Sequence, residues 1–243
     1  SSSRGHVNSV IVTIHQPEHL PWLGFFNKIC QADVVVLLNN VQFRKNYFQN
    51  RNKIKTADGW AWLTVPIKKE GLDTKIKDIS IDNSKPWAEK CWNSIKYSYN
   101  KAEYFTEYGG IIESFYNDKW IKLDELNTQL IRKIIELLSI KVSIQKASDL
   151  KVYGKSSDLI LDICRKLDTD TYLSGISGRE YLKLDKFKEC GIDVVFQDFH
   201  HPVYKQLYQP FIPNMSIIDL LFNSGPESSN IVIGENDVPT SDR

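Results

Sequence analysis

Four of the five histidines in the chain flank apolar runs that read as strands: His15 and His19 in "HQPEHLPWLG", His200 and His201 in "DFHHPVY". A neutral imidazole accepts a proton and a charged one binds an anion, so histidines at strand ends point to a general base or a phosphate donor. His15 and His19 precede a predicted helix, whose first amides are unpaired and whose dipole end is positive, a combination that suits phosphate. Pro17 and Pro21 restrict this loop and preorganise it. Gln16 and Trp22 are candidate substrate contacts, Trp22 either stacking on a base or capping the sheet. The plainer alternative has Pro and Trp covering the sheet end, with His15 a satisfied core residue. His200 and His201, with Asp198 nearby, serve as base or anion donor, or are simply loop residues at the surface. His and Asp could ligate a metal, but no i, i+4 histidine pair lies on a helix, and no metal is expected.

Two further segments carry polar chemistry. In "YLSGISGREYL" (172–182) a strand enters a turn that opens a predicted helix. Gly175 and Gly178 let the backbone approach an anion there, and Ser174, Ser177 and Arg179 supply donors. An ordinary turn with Ser177 as helix cap is the alternative. "NNVQFRKNYFQNRNKI" (39–54) interleaves amides and cations with Phe43, Tyr47 and Phe48. Gln42, Asn50 and Arg51 could hold phosphate and sugar hydroxyls there while a ring stacks on a base. A solvated charged loop reads equally well.

These residues need elements to position them. An apolar β-branched run at 10–14, an amphipathic helix at 22–31 and a second run at 34–38 make a βαβ unit with parallel strands. A strand is expected at 60–67, and three helices fill 84–139. Strands and helices then alternate: strand 142–146, helix 156–167, strand 171–175, helix 178–190, strand 192–199 and helix 216–225. In parallel sheets ligands bind beyond the C-terminal strand ends, where all four histidines would lie. The expected fold class is α/β, a mostly parallel doubly wound sheet with an all-helical insertion. Its core domain would be 10–83 and 140–227, its insertion or subdomain 84–139, and its flexible ends 1–9 and 228–243.

Composition narrows the classes. Hydrophobic residues are 42% of 243, enough for a core, and Lys plus Arg (31) nearly equals Asp plus Glu (30). That balance argues against a broad nucleic-acid surface, with an aminoacyl-tRNA donor left open. No apolar run reaches the roughly 18 residues of a membrane span, so no membrane insertion is expected. The N-terminal residues have no apolar centre, so no signal peptide is expected. Cys30, Cys91, Cys164 and Cys190 lack Cys-x-x-Cys spacing and read as buried thiols in a cytoplasmic protein. Oligomeric state is left open.

The loop "HQPEHLPWLG" resembles the HIGH-type signature of nucleotidyltransferases and adenylate-forming ligases, whose two histidines steady a leaving pyrophosphate, and the resemblance implies that the sheet is HIGH-type nucleotide-binding-like. Here the histidines are four apart, and Pro21-Trp22-Leu23-Gly24 stands where the second histidine and glycine of that signature would fall. More specifically, the chain resembles the WbqC-like family of bacteria. The resemblance rests on "IHQPEHLPWLGFFNKI", "VQF" followed by "NRNKI", "WLTVPI", "YLSG" and "FIPNMSIIDLLFNSG", which run in order over most of 10–225. One departure is "LLNN" at 37–40, where the family pattern has an aspartate; Asn39 or Asn40 puts any role of that acid in doubt here.

The resemblance implies association with O-antigen (lipopolysaccharide) and other surface-polysaccharide genes, including those for unusual amino sugars, and no family-wide reaction. The expected function is an enzyme, a transferase or ATP-dependent amide ligase. It would modify a nucleotide-linked amino sugar by N-acyl or aminoacyl transfer. The donor would be ATP with Mg acting on a carboxylate, an acyl-CoA, or an aminoacyl carrier. Nucleotidyl transfer from an NTP with Mg is the alternative within enzymes, and a non-catalytic nucleotide-sugar binder or scaffold lies outside them.

Overall fold

The computed structural model describes residues 9–70 and 73–234. β1 (Ile11–His15) and β2 (Val34–Leu37) are the two apolar runs, paired parallel with Val12 opposite Val34 and His15 opposite Leu37. Between them lies α1 (Leu23–Cys30). Together they form the expected βαβ unit.

After β2 the chain leaves the sheet. β3 (Arg51–Thr56) and β4 (Gly59–Thr64) form a separate antiparallel hairpin, with Lys53 opposite Trp62. The sequence reading has a strand at 60–67 but leaves β3 inside a loop, because "RNKIKT" is too polar to stand out. Its inward residues are Asn52 and Ile54, both nearly inaccessible, and alternation of this kind suits a strand with one wet face.

Three helices follow, α2 (Trp87–Tyr99), α3 (Phe105–Asn117) and α4 (Leu123–Leu137), as the helical reading of 84–139 predicts. β5 (Ser143–Lys146), α5 (Ser157–Lys166), β6 (Thr171–Ser174), α6 (Leu184–Glu189) and β7 (Asp193–Phe196) restore the alternation. Among the described residues the main sheet has five strands in the order β5-β2-β1-β6-β7, every pairing parallel.

Burial separates the two faces. Val35 and Leu37 share a core with Leu23, Phe26 and Ile29 of α1 and with Leu126, Leu130 and Ile134 of α4. Val12, Ile14 and Val36 face Leu159, Ile160 and Ile163 of α5 and Phe187 of α6. The sheet is thus apolar on both sides, as parallel strands require. The helical block 84–139 belongs to the first of these cores.

Two expectations need correction. The helix read at 178–190 is instead a 3₁₀ turn at Ile176–Glu180 followed by the short α6. The break has a local cause: the Lys183 N–H donates to Ser157 Oγ at 2.9 Å, tying the chain to the start of α5. The flexible end placed at 228–243 begins too early, because Ser228–Ile233 forms α8. Asn27 Nδ2 donates to the Val232 carbonyl at 2.9 Å, and Ser229 Oγ donates to the Leu138 carbonyl at 2.6 Å, anchoring α8 to α1 and α4. Residues 1–8 and 235–243, the remainder of the expected flexible ends, lie outside the described residues. No helix among the described residues is long and apolar enough to cross a membrane.

Candidate functional site

In the order β5-β2-β1-β6-β7 the chain winds outward in opposite directions from β1 and β6. Crevices open at the C-terminal edge of a parallel sheet where the winding reverses in this way. A cavity of about 270 Å³ lies there, lined by His15 and Gln16 after β1 and by Ser174, Gly175 and Ser177 after β6. Glu18 and Lys28 line it from the His-Pro loop and α1. Arg44, Tyr47, Phe48 and Gln49 line it from the segment after β2, and Tyr172 and Tyr181 also contribute.

His15 sits where β1 ends and its backbone leaves the ladder. Its Nδ1 is 2.8 Å from the Gln16 carbonyl, which can only accept, so Nδ1 carries the proton and Nε2 keeps its lone pair. Nε2 is 3.6 Å from Glu18 Oε2. Phe25 packs against the ring edge, centroids 4.4 Å apart. Burial, reinforced by the Lys28 charge and only partly opposed by the Gln16 bond, pushes the imidazole down to about 3. It is therefore neutral at ordinary pH.

Glu18 and Lys28 are both almost inaccessible. Glu18 Oε1 has no hydrogen-bond partner among the described residues. Burial pushes the Glu18 carboxyl up to about 8 against the pull of Lys28, so it holds its proton at neutral pH. The same burial pushes the Lys28 ammonium down to about 8 against the pull of Glu18. Lys28 Nζ donates to the Ile14 carbonyl at 3.2 Å and lies beside Gly175, between β1 and β6. Gln49 Nε2 donates to Gln16 Oε1 across the mouth, while Gln49 Oε1 accepts from the Arg44 N–H at 3.1 Å. The site thus holds a neutral base, a protonated acid and a cation in one crevice.

Of the residues named in the sequence, His15, Gln16, Tyr47, Phe48, Ser174, Gly175 and Ser177 meet at this cavity. His19 is turned away from it. Its Nδ1 is 2.9 Å from Asn127 Oδ1 and its Nε2 2.8 Å from Tyr116 Oη, so both ring nitrogens are bonded to the helical block. Burial lowers it to about 4, with the Asn127 bond acting the other way. Trp22 stacks on His201 with centroids 6.3 Å apart and meets Phe199 edge-on. The His201 ring is bonded at both nitrogens, to the Pro202 carbonyl at 2.7 Å and by the Asn214 N–H at 3.0 Å. His200 and Asp198 pair with each other at 3.1 Å on the open surface.

Arg179 lies over the Phe196 ring, and Asn50 Nδ2 donates to the Val65 carbonyl at 3.0 Å. Arg51 covers Trp62, and Gln42 forms an isolated antiparallel backbone bridge with Lys75. Asn39, where the family pattern has an acid, is buried; its amide donates to Asp124 Oδ2 at 2.9 Å and its Oδ1 accepts from the Ser148 N–H. Among the described residues no group of three or more His, Cys, Asp or Glu is placed to hold a metal.

Glu18, Lys28, Arg44, Gln49 and Tyr181 line the cavity without having been singled out as site residues. One sequence signal existed for Lys28: it sits in "LGFFNKIC", a helix buried on all sides from Leu23 to Ile29, where a lysine has no wet face to occupy.

The model of the WbqC-like protein family matches residues 16–231. A Mycobacterium tuberculosis protein, "Uncharacterized protein Rv1507c", is 32% identical over 220 residues, covering 89% of this chain and 95% of that one. No solved structure matches the chain significantly. Through a match that spans both the sheet and the helical block, the chain belongs to the WbqC-like protein family.

Proposed function

We propose that the chain is an enzyme of bacterial surface-polysaccharide biosynthesis that forms an amide on a nucleotide-linked amino sugar, by N-acyl or aminoacyl transfer. The polysaccharide context rests on the family. The chemistry rests on one observation: the neutral His15, with its Nε2 lone pair 3.6 Å from a buried Glu18 carboxyl and with Lys28 in the same cavity.

In this reading the sugar amine attacks an acyl carbon, and His15 Nε2 takes the N–H proton as the C–N bond forms. Lys28, with ammonium protons left beyond its single bond to Ile14, faces the oxyanion of the tetrahedral intermediate. The protonated Glu18 gives its proton to the departing oxygen or sulfur as the C–O or C–S bond breaks. The proton on His15 then returns to Glu18, and the site is reset. His19 has a positioning part, fixing the loop to α3 and α4. An ester or thioester donor suits this donor set better than ATP with Mg, because Glu18, the one carboxyl lining the cavity among the described residues, is held protonated. Of the two loop histidines only His15 lines the cavity, which also favours amide formation over the two-histidine phosphate clamp of a nucleotidyltransferase.

The test is a thermal-shift panel of dTDP-, UDP- and GDP-amino sugars with acyl donors, followed by His15→Asn. The variant is expected to lose turnover by about 100-fold or more while still binding the nucleotide sugar. Turnover unchanged in His15→Asn would remove the base from the mechanism. No shift with any sugar nucleotide would favour a scaffold.

A further inference from the structure

The hairpin β3–β4 presents a face that the amide-forming site does not use. Arg51 and Lys53 on β3 lie on the same side as Trp60 and Trp62 on β4, opposite the inward Ile54 and Leu63. Trp60 and Trp62 remain 44% and 38% exposed, far above what aromatic side chains show in a core. Arg51 sits over Trp62 at 3.9 Å and Lys53 over Trp60 at 4.8 Å. Trp60 meets Trp62 with centroids 5.3 Å apart, and Phe48 continues the row 5.9 Å from Trp62.

This row ends at the cavity. Phe48 belongs to both, Tyr47 and Arg44 line the cavity beside it, and Arg51 donates to the carbonyls of Tyr47 and Asn46. Segment 39–56 carries Arg44, Lys45, Arg51, Lys53 and Lys55 and no acidic residue, although the whole chain has 31 basic and 30 acidic residues. Lys55 alone of these turns inward, donating to the Leu207 and Tyr208 carbonyls. A row of exposed rings interleaved with cations is the arrangement that holds single-stranded nucleic acid, with bases stacking on rings and phosphates meeting the cations. One mononucleotide would occupy a single ring. Three rings in file, Phe48, Trp62 and Trp60, match successive nucleotides.

We propose that this face binds the single-stranded end of an RNA whose terminal ribose carries an aminoacyl ester, and that the row guides that end into the cavity at His15. The proposal rests on the amide-forming reading and names its donor. The sugar amine attacks the ester carbonyl, the C–N bond forms, the C–O bond to the ribose breaks, and the ribose hydroxyl leaves with the proton supplied by Glu18.

The experiment is fluorescence anisotropy of the full chain with a labelled eight-nucleotide single-stranded RNA, at several salt concentrations. Uridine monophosphate and a sulfated oligosaccharide serve as competitors. Saturable binding is expected, with log affinity falling against log salt at a slope of about −0.7 per phosphate contacted. Trp62→Ala should weaken it roughly 5- to 100-fold, and Arg51→Gln should lower the slope by about 0.7. Arg51→Gln changes only a partly exposed side chain, so it keeps the test decisive should Trp62→Ala unfold.

No RNA binding, RNA affinity unchanged in both variants, or equal competition by the mononucleotide would overturn the proposal. So would preference for the sulfated oligosaccharide, which would assign the face to an anionic glycan. The amide-forming reading is judged separately, by nucleotide-sugar binding and by His15→Asn turnover with a small acyl donor. Either can fail while the other stands.

Discussion

At the scale of single residues, the unusual feature is a carboxyl buried without a full set of partners. Glu18 releases its proton near 4.5 in an unfolded chain but only at about 8 in the fold, because burial disfavours the charge. Between those values the folded state holds more protons than the unfolded state. Glu18 therefore makes the protein lose stability as pH rises from about 4.5 to about 8, and contributes no further change above that. Lys28 acts with the opposite sign in a later window, restoring stability between about 8 and 10.5. His15 adds stability as pH rises from about 3 to 6.5. Glu18→Gln keeps the shape, removes the first effect and, above about 8, also takes away the pull of Glu18 on Lys28. In urea titrations the stability of the variant relative to the parent should climb by on the order of 1 kcal/mol per pH unit between about 4.5 and 8. A difference that stays flat from pH 4.5 to 8 would mean Glu18 is ionised and solvated in the fold. His15, Gln16, Ser174 and Ser177 were legible in the sequence because strand ends and glycine turns announce themselves. Glu18 was not, since a lone carboxylate in a loop is ordinarily a surface residue, and Lys28 was marked only by the apolar residues around it in α1.

At the scale of elements, the turn into α1 explains a glycine that helix propensity alone would disfavour. Gly24 is the second residue of α1, and a Cβ there would lie 2.3 Å from two ring atoms of Trp22, which folds back over the helix start. Trp22 is held in turn by Phe199 and His201, and its backbone bridges to Ser216. Gly24→Ala should therefore destabilise the protein by about 1–3 kcal/mol, the cost of forcing a side chain into a packed space. In a Trp22→Ala background the same change should stabilise by up to about 1 kcal/mol, because only the helix preference of alanine remains. A double-mutant cycle in denaturant reads the difference directly, and additive effects would mean that the indole does not set the glycine. The first βαβ unit, the later strands and the helices of the 84–139 block followed from period and length. What the sequence hid were elements whose pattern is overridden by contacts: β3, whose polar face looks like a loop, and the 3₁₀ turn after β6, broken by the bond from Lys183 to Ser157. The short α8 belongs with them, since its anchor on Asn27 lies 205 residues away in the chain.

At the scale of the whole molecule, the sequence suggested a helical insertion set into an α/β core, and the packing bears on how independent that insertion is. One apolar cluster joins Leu23 and Phe26 of α1, Leu37 of β2, Ile95 of α2, Ile112 of α3 and Leu130 of α4 with Ile218 of α7 (Ile217–Ser224). Polar ties cross the same boundary. Tyr99 Oη donates to Asp219 Oδ1 at 3.0 Å and accepts from the Lys55 N–H at 3.0 Å, while Asn127 Nδ2 donates to the Gln49 carbonyl at 2.7 Å. The Tyr104 N–H donates to the Phe222 carbonyl at 3.0 Å. Removing the helices would strip one face of the sheet and leave Asp219 and Gln49 without these partners, so neither part retains a closed core alone. Calorimetry should then show a single endotherm, with calorimetric and van't Hoff enthalpies equal. Two separable transitions, or protease-resistant survival of residues 84–139 after cleavage at their ends, would show the helical block to be a domain in its own right. The same dependence bears on the site: Gln49 at the cavity mouth and His19 in its loop are both bonded to Asn127 of α4, so loosening the helical block should loosen the crevice with it.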